Sequence, residues 1–160
     1  MISGTDYDRN QDKKLDKTEI GLTINIYCDG KGIKSLKGIE YFTDLQGLWC
    51  TKNKIKSMDL SHNPDIRGVW CSDNEFTSLD FSDNPELLWV YCYDCKLTKL
   101  NVTNNPKLEF IECNTNPPKE LDVSHNPELA HFTCGTCELS QLDISNNPKL
   151  THLDAFSNMQ

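Results

Sequence analysis

The sequence predicts an α/β-type repeat solenoid: a horseshoe-like arc with a parallel β-sheet on its concave face and irregular turns on its convex side. Three observations predict it. Cys50, Cys71, Cys92, Cys113 and Cys134 recur every 21 residues. Asn63, Asn84, Asn105, Asn126 and Asn147 keep the same interval, and proline follows each of them. Just before each cysteine, inward apolar and outward residues alternate with the period of two that marks a short strand. A unit this short cannot bury its apolar face alone, so successive units must stack.

The unit reads L-x-x-L-x-C-x-x-N-x-L-x-x-L-D-L-S-x-N-P-x. In the coil from Leu45 to Ile66 the inward set is Leu45, Leu48, Cys50, Ile55, Met58 and Leu60, while Trp49 and Thr51 point outward. The strands are expected to centre on Cys28, Cys50, Cys71, Cys92, Cys113, Cys134 and Ala155, each about 4.8 Å from the next. Asn53, Asn74, Asn116 and Asn158 follow the strands, where their amides can satisfy buried backbone groups of neighbouring coils. On the return side Ser61-His62-Asn63-Pro64 is a turn, with Ser and Asn bonding nearby backbone and Pro presetting φ. So many turn formers leave no room for a regular convex helix.

Two coils depart from the pattern. The first spans 22 residues from Cys28 to Cys50 and lacks the Asn-Pro turn. In a later one, Asn116-Pro117-Pro118 puts proline where Ile55, Phe76 and Leu97 stand elsewhere. Residues 24–160 therefore form a solenoid of about six to seven coils, and residues 1–23 an N-terminal cap. No polar cap is visible after Leu153-Asp154-Ala155, which suggests a fragment, or self-association through an open C-terminal coil.

All eight cysteines fit the repeat. Six take the inward strand position, and Cys95 and Cys137 take the Asn position. We expect buried free thiols rather than disulfides or a metal site.

The repeat resembles leucine-rich repeats. The run from Leu100 to Leu108 with Ile111-Glu112-Cys113-Asn114-Thr115-Asn116 is similar to the short repeats of bacterial secreted or surface proteins, with internalins as 22-residue relatives. The resemblance implies a protein that is exported and binds proteins or host surfaces. The N-terminus Met-Ile-Ser-Gly-Thr lacks the apolar segment of a signal peptide, so the cytoplasm stays open as an alternative unless a signal was removed.

The segment Asp8 to Glu19 resembles an EF-hand loop. Asp8, Asn10, Asp12, Asp16 and Glu19 stand at the oxygen-ligand positions 1, 3, 5, 9 and 12, and Lys14 would give its carbonyl at position 7. We expect Ca2+ there, as a structural clip. Lys13 replaces the usual glycine, and only seven residues precede Asp8. A solvated acidic cap is the alternative.

Outward positions stack into columns. The residue before each cysteine gives Tyr27, Trp49, Trp70, Tyr91, Glu112, Thr133 and Asp154. Two residues earlier stand Asn25, Gly47, Gly68, Trp89, Phe110, His131 and His152. Four aromatics thus run in line, flanked by Trp89, Tyr93 and Phe110. The core positions are already filled, so these rings are exposed and form the candidate ligand-binding stripe. His131 and His152, near Glu112 and Asp154, read as a polar end to the groove rather than a transition-metal site. The column Asp59, Asp80, Asn101, Asp122 and Asp143 reads as structural, each carboxylate accepting turn N–H groups.

A net charge of −8 argues against a nucleic-acid partner. No apolar run reaches the ~18 residues of a membrane span. No nucleophile elbow, phosphate loop or H-E-x-x-H motif occurs, so an enzyme is not expected. The stripe suits a protein partner first. A glycan stacking on the same rings, or an assembly role, are the alternatives.

Overall fold

The structure is a computed structural model that describes residue 9 and residues 15–118 and 120–158. A five-residue helix α1 (Lys17–Gly21) leads into the coils. Asp16 caps it: its Oδ1 accepts from Thr18 N at 2.8 Å and Glu19 N at 2.9 Å, and the Glu19 carboxylate accepts from Asp16 N at 3.2 Å. This reciprocal pair satisfies donors that a helix start leaves unpaired.

Seven strands, one per coil, form one parallel sheet: β1 (Asn25–Tyr27), β2 (Gly47–Trp49), β3 (Gly68–Trp70), β5 (Trp89–Tyr91), β7 (Phe110–Glu112), β8 (His131–Thr133) and β9 (His152–Asp154). The register is unbroken, with Tyr27 beside Trp49, Trp49 beside Trp70, and so on to Thr133 beside Asp154. The strands end one residue before the cysteines instead of centring on them. Each cysteine N–H still bonds the next coil, as Cys50 N does to Trp70 O at 2.8 Å. Two residues on, the chain turns through positive φ at Lys52, Asp73, Asp94, Thr115, Thr136 and Ser157, and extended pairing stops there. In the first coil Gly30 takes that place, φ 63°.

The inward residues form one continuous core. Ile26, Leu48, Val69, Val90, Ile111 and Phe132 are fully buried at the strand centres, and the cysteines lie beside them. All eight cysteines are free and buried. Leu153, in the last strand, is 42% exposed, because among the described residues no coil stacks beyond it.

Two polar ladders hold the coils together. Asn53, Asn74, Asn116 and Asn158 each accept from N–H groups of the preceding coil and donate to carbonyls of both coils. Asn74 takes Ile55 N at 3.0 Å and gives to Cys50 O and Cys71 O, both at 2.9 Å. Where cysteine replaces Asn, the thiol keeps one of these bonds: Cys95 Sγ donates to Cys71 O at 3.3 Å. The second ladder corrects the reading of the Asn-Pro turn. The Asn84 side chain does not bond its own turn; its amide donates to Leu60 O and Asn63 O of the preceding coil, both at 3.0 Å. The local turn bond comes from the aspartate column instead, with Ser61 N donating to Asp59 and Ser82 N to Asp80.

The return side is mostly irregular, as expected. The exceptions are a short 3-10 helix at Ile39–Tyr41 and a two-stranded parallel sheet of β4 (Ser78–Asp80) and β6 (Lys99–Asn101). Pro117 and Pro118 enter the next coil with no N–H to donate, and among the described residues no strand pairs with the other side of β6. Pro118 is buried at the usual Leu position.

Candidate binding face

The strand face carries one row of stacked rings. Tyr27 stacks on Trp49 with centroids 4.5 Å apart, Trp49 on Trp70 at 4.2 Å, and Trp70 on Tyr91 at 5.6 Å. The row then continues through Phe110 at 4.6 Å, His131 at 4.1 Å and His152 at 4.2 Å. It crosses from one outward column to the other between Tyr91 and Phe110.

Glycine explains the crossing. A Cβ on Gly47 would lie 2.4 Å from a ring carbon of Trp49, and a Cβ on Gly68 would lie 2.4 Å from a ring carbon of Trp70. Each indole therefore lies flat over the glycine two residues earlier and fills the space a side chain would take there. In later coils Phe110, His131 and His152 occupy that space directly, and the residues two further on, Glu112, Thr133 and Asp154, are not aromatic. The face thus accepts one ring per coil along the row. Coil β5 supplies two, and Trp89 stands aside, tilted 32° to Trp70 at 6.5 Å and 36% exposed.

All seven candidate residues, Tyr27, Trp49, Trp70, Trp89, Tyr91, Tyr93 and Phe110, lie on this face. Six take part in the ring contacts. Tyr93 is half-buried one residue beyond Cys92, and among the described residues no aromatic ring stacks on it. His131 and His152 stack face to face, 11° from parallel, instead of converging on a point. No cluster of three or more metal-ligating side chains occurs among the described residues. Burial and the neighbouring His152 push the His131 imidazole below its usual pKa. The histidines were legible as row members only through the glycines: Gly-x-Trp, Phe-x-Glu and His-x-Thr are three ways of placing one ring per coil.

Glu112, expected at the polar end of the groove, also borders the tyrosines of the preceding coil. It is half-buried at the end of β7, and burial raises its carboxyl pKa. Its charge reaches both tyrosines beside it. Burial and then Glu112 push Tyr91 up, and burial, Asp73 and then Glu112 push Tyr93 up.

Of the expected calcium ligands, Asp8, Asn10, Asp12 and Lys14 lie outside the described residues. Asp16 and Glu19 form the capping box of α1.

Solved structures share this architecture. The functional domain of InlJ from Listeria monocytogenes, described as including a cysteine ladder, matches with a TM-score of 0.87 and 32% identity. The match covers 93% of this chain and 34% of that one. An internalin, InlF of Listeria monocytogenes, matches with a TM-score of 0.67 and 16% identity over 92% of this chain and 52% of its own. A leucine-rich-repeat protein of Leptospira interrogans matches with a TM-score of 0.68 and 19% identity over 75% of this chain and 34% of its own. The fold is a leucine-rich-repeat solenoid. The chain spans about a third of the InlJ chain and about half of the InlF chain. No protein-family model matches the sequence, and no curated protein does. Likeness to leucine-rich-repeat proteins suggests a protein-interaction repeat module. No helix among the described residues is long and apolar enough to cross a membrane.

Proposed function

We propose that this solenoid is a non-enzymatic binding module of an exported or surface-attached protein, and that a protein partner docks on its strand face. The observation that carries the reading is the row of seven stacked rings contributed by seven consecutive coils. Short strands hold the rings in place, so little ordering entropy is lost when they are covered. Trp and Tyr are the residues that most often dominate binding energy.

The stacking favours a protein over a glycan. A sugar ring packs on an open aromatic face. Inside this row both faces of each ring are covered by its neighbours, and what remains is a line of ring edges, which suits the mixed apolar and polar surface of a protein.

The test is a comparison of faces. Binders captured on the wild-type chain are identified and titrated against two variants. Trp70→Ala is expected to weaken binding about thirtyfold. His62→Ala, on the exposed return side, is expected to change it by less than about 0.5 kcal/mol. Far-ultraviolet circular dichroism checks that both stay folded. Equal binding by wild type and Trp70→Ala, with loss on His62→Ala, would place the site on the wrong face. Retention on a glycan array that disappears in a Trp49→Ala/Trp70→Ala chain would favour the sugar reading.

We also propose Ca2+ at residues 8–19. The supporting observation is that Asp16 and Glu19, positions 9 and 12 of such a loop, stand at the N-cap and third residue of α1. A folded-state ligand at tenfold its Kd adds about 1.4 kcal/mol. The melting temperature in millimolar calcium is therefore expected to exceed that in EDTA, and no difference would remove the proposal.

A further inference from the structure

We propose that Glu112, beside the coil that carries Tyr91 and Tyr93 on the strand face, seats a lysine or arginine side chain of the protein partner. The inference rests on the reading of that face as a docking surface and names the chemistry of the anchor.

Glu112 ends β7 and stands in register with Tyr91 on one side and Thr133 on the other. Its side chain takes the outward place that Trp49 and Trp70 hold in earlier coils. Among the described residues no lysine, arginine or histidine forms an ion pair with it. No hydrogen bond to its carboxylate occurs among them either. The carboxylate is nevertheless half-buried at the end of β7, and that burial favours its neutral form. A half-buried charge without a partner is unfavourable, and an opposite charge that completes the desolvation relieves it.

The surroundings select the kind of cation. Tyr93, half-buried, lies close enough to feel the Glu112 charge, and among the described residues no aromatic ring stacks on it. Tyr91, in the same coil, stands in register with Glu112, its ring packed between Trp70 and Phe110. Asp73 and Asp94 add negative charge around Tyr93. Tyrosine rings beside a carboxylate suit a guanidinium or an ammonium, which packs against a ring while it bonds the oxygens. A metal ion finds no ligand set here, since no third ligating side chain joins among the described residues. The net charge of −8 draws a basic segment toward the chain from a distance.

The experiment titrates N-labelled protein with three capped amino acids and follows backbone amide shifts. The probes are N-acetyl-arginine amide, N-acetyl-lysine amide and N-acetyl-citrulline amide, the last being the neutral isostere of arginine. The two cations are expected to move the amides of Tyr91, Tyr93 and Glu112 with millimolar Kd, and citrulline to move them far less. Glu112→Gln is expected to weaken the cations about fivefold, the scale of one partly exposed charge contact with a ring. Tyr93→Leu is expected to weaken arginine as well. Glu75→Gln, a carboxylate paired with Lys56, serves as the control and is expected to change nothing at these amides. Equal shifts with citrulline, or undiminished binding by Glu112→Gln, would overturn the proposal. Methyl β-glucoside moving the same amides where the cations do not would transfer the place to a glycan and overturn it too. The outcome is separable from the docking reading. If the seat fails while Trp70→Ala still loses the partner, only the seat falls. If the seat holds while Trp70→Ala keeps its partner, the docking face is what falls.

Discussion

Glycine at 47 and 68 decides where two tryptophans lie. A methyl group at Gly68 would overlap the Trp70 ring at 2.4–2.5 Å, so the indole must lift. Trp49 and Trp70 are 4.2 Å apart and 5° from parallel, close enough for their transitions to couple. Gly68→Ala is expected to abolish that coupled signal in circular dichroism and to cost about 1 kcal/mol of stability, the low end of overpacking. An unchanged spectrum would mean that the ring does not rest on Gly68. Glu112 makes a prediction of opposite sign. Burial raises its pKa above 4.5, so the folded chain holds the proton more tightly than the unfolded chain does. Its contribution is most favourable below 4.5 and is lost as pH rises through the raised folded value. Glu112→Gln is therefore expected to melt higher than wild type at pH 7, with the difference gone below pH 4.5. A wild type that is more stable than the variant at pH 7 would reveal a compensating partner.

A single coil is held by what its asparagine does for the coil before it. The Asn74 amide satisfies Ile55 N, Cys50 O and Cys71 O at once, in a place almost without water. Asn74→Ala leaves these groups unpaired, and each buried orphan costs about 1–3 kcal/mol, so a loss of about 3 kcal/mol is expected. Cysteine is the informative comparison. Cys95 and Cys137 stand at the equivalent place and donate to Cys71 O at 3.3 Å and Cys113 O at 3.2 Å. Asn74→Cys is expected to lose less than Asn74→Ala in chemical denaturation. Equal losses would mean that the thiol bond contributes nothing. The strands were expected to centre on the cysteines and instead end one residue before them. Alternation of inward and outward residues runs through the cysteine, whereas pairing ends where the next residues turn through positive φ at Lys52 and its equivalents. Nothing in the type of Lys52, Thr115 or Ser157 announces that conformation.

Across the whole molecule, stacked coils leave the thiols without access to solvent. Burial pushes Cys28 up to about 11 and Cys134 up to about 12 and raises Cys50 and Cys92, while contact with the thiols of Cys95 and Cys137, and then burial, raises Cys71 and Cys113. Contact with Cys71 and Cys113 lowers Cys95 and Cys137, but both are fully buried. A thiol reagent at pH 7 is expected to find almost none of them in the native chain and all eight after denaturation. Rapid native labelling at the level of several thiols would show that the coils open locally. The periodicity determined the number of coils, the parallel sheet, the inward set and the free state of the cysteines. Each of these follows from one residue's place in a repeat, and a 21-residue register repeats that place without ambiguity. The direction in which a ring lies, and the partner that a buried amide finds, depend on two or three coils at once. That is why Tyr27, Trp49, Trp70 and Tyr91 were legible as a line, but the crossing to Phe110, His131 and His152 was not. The same reason hid the setting of Glu112 beside the tyrosines. Its character comes from Tyr91 and Tyr93 beside it, 21 and 19 residues away along the chain, and from no motif of its own. Stacking brings such residues within contact, and the space each ring leaves or takes then decides what the face can hold.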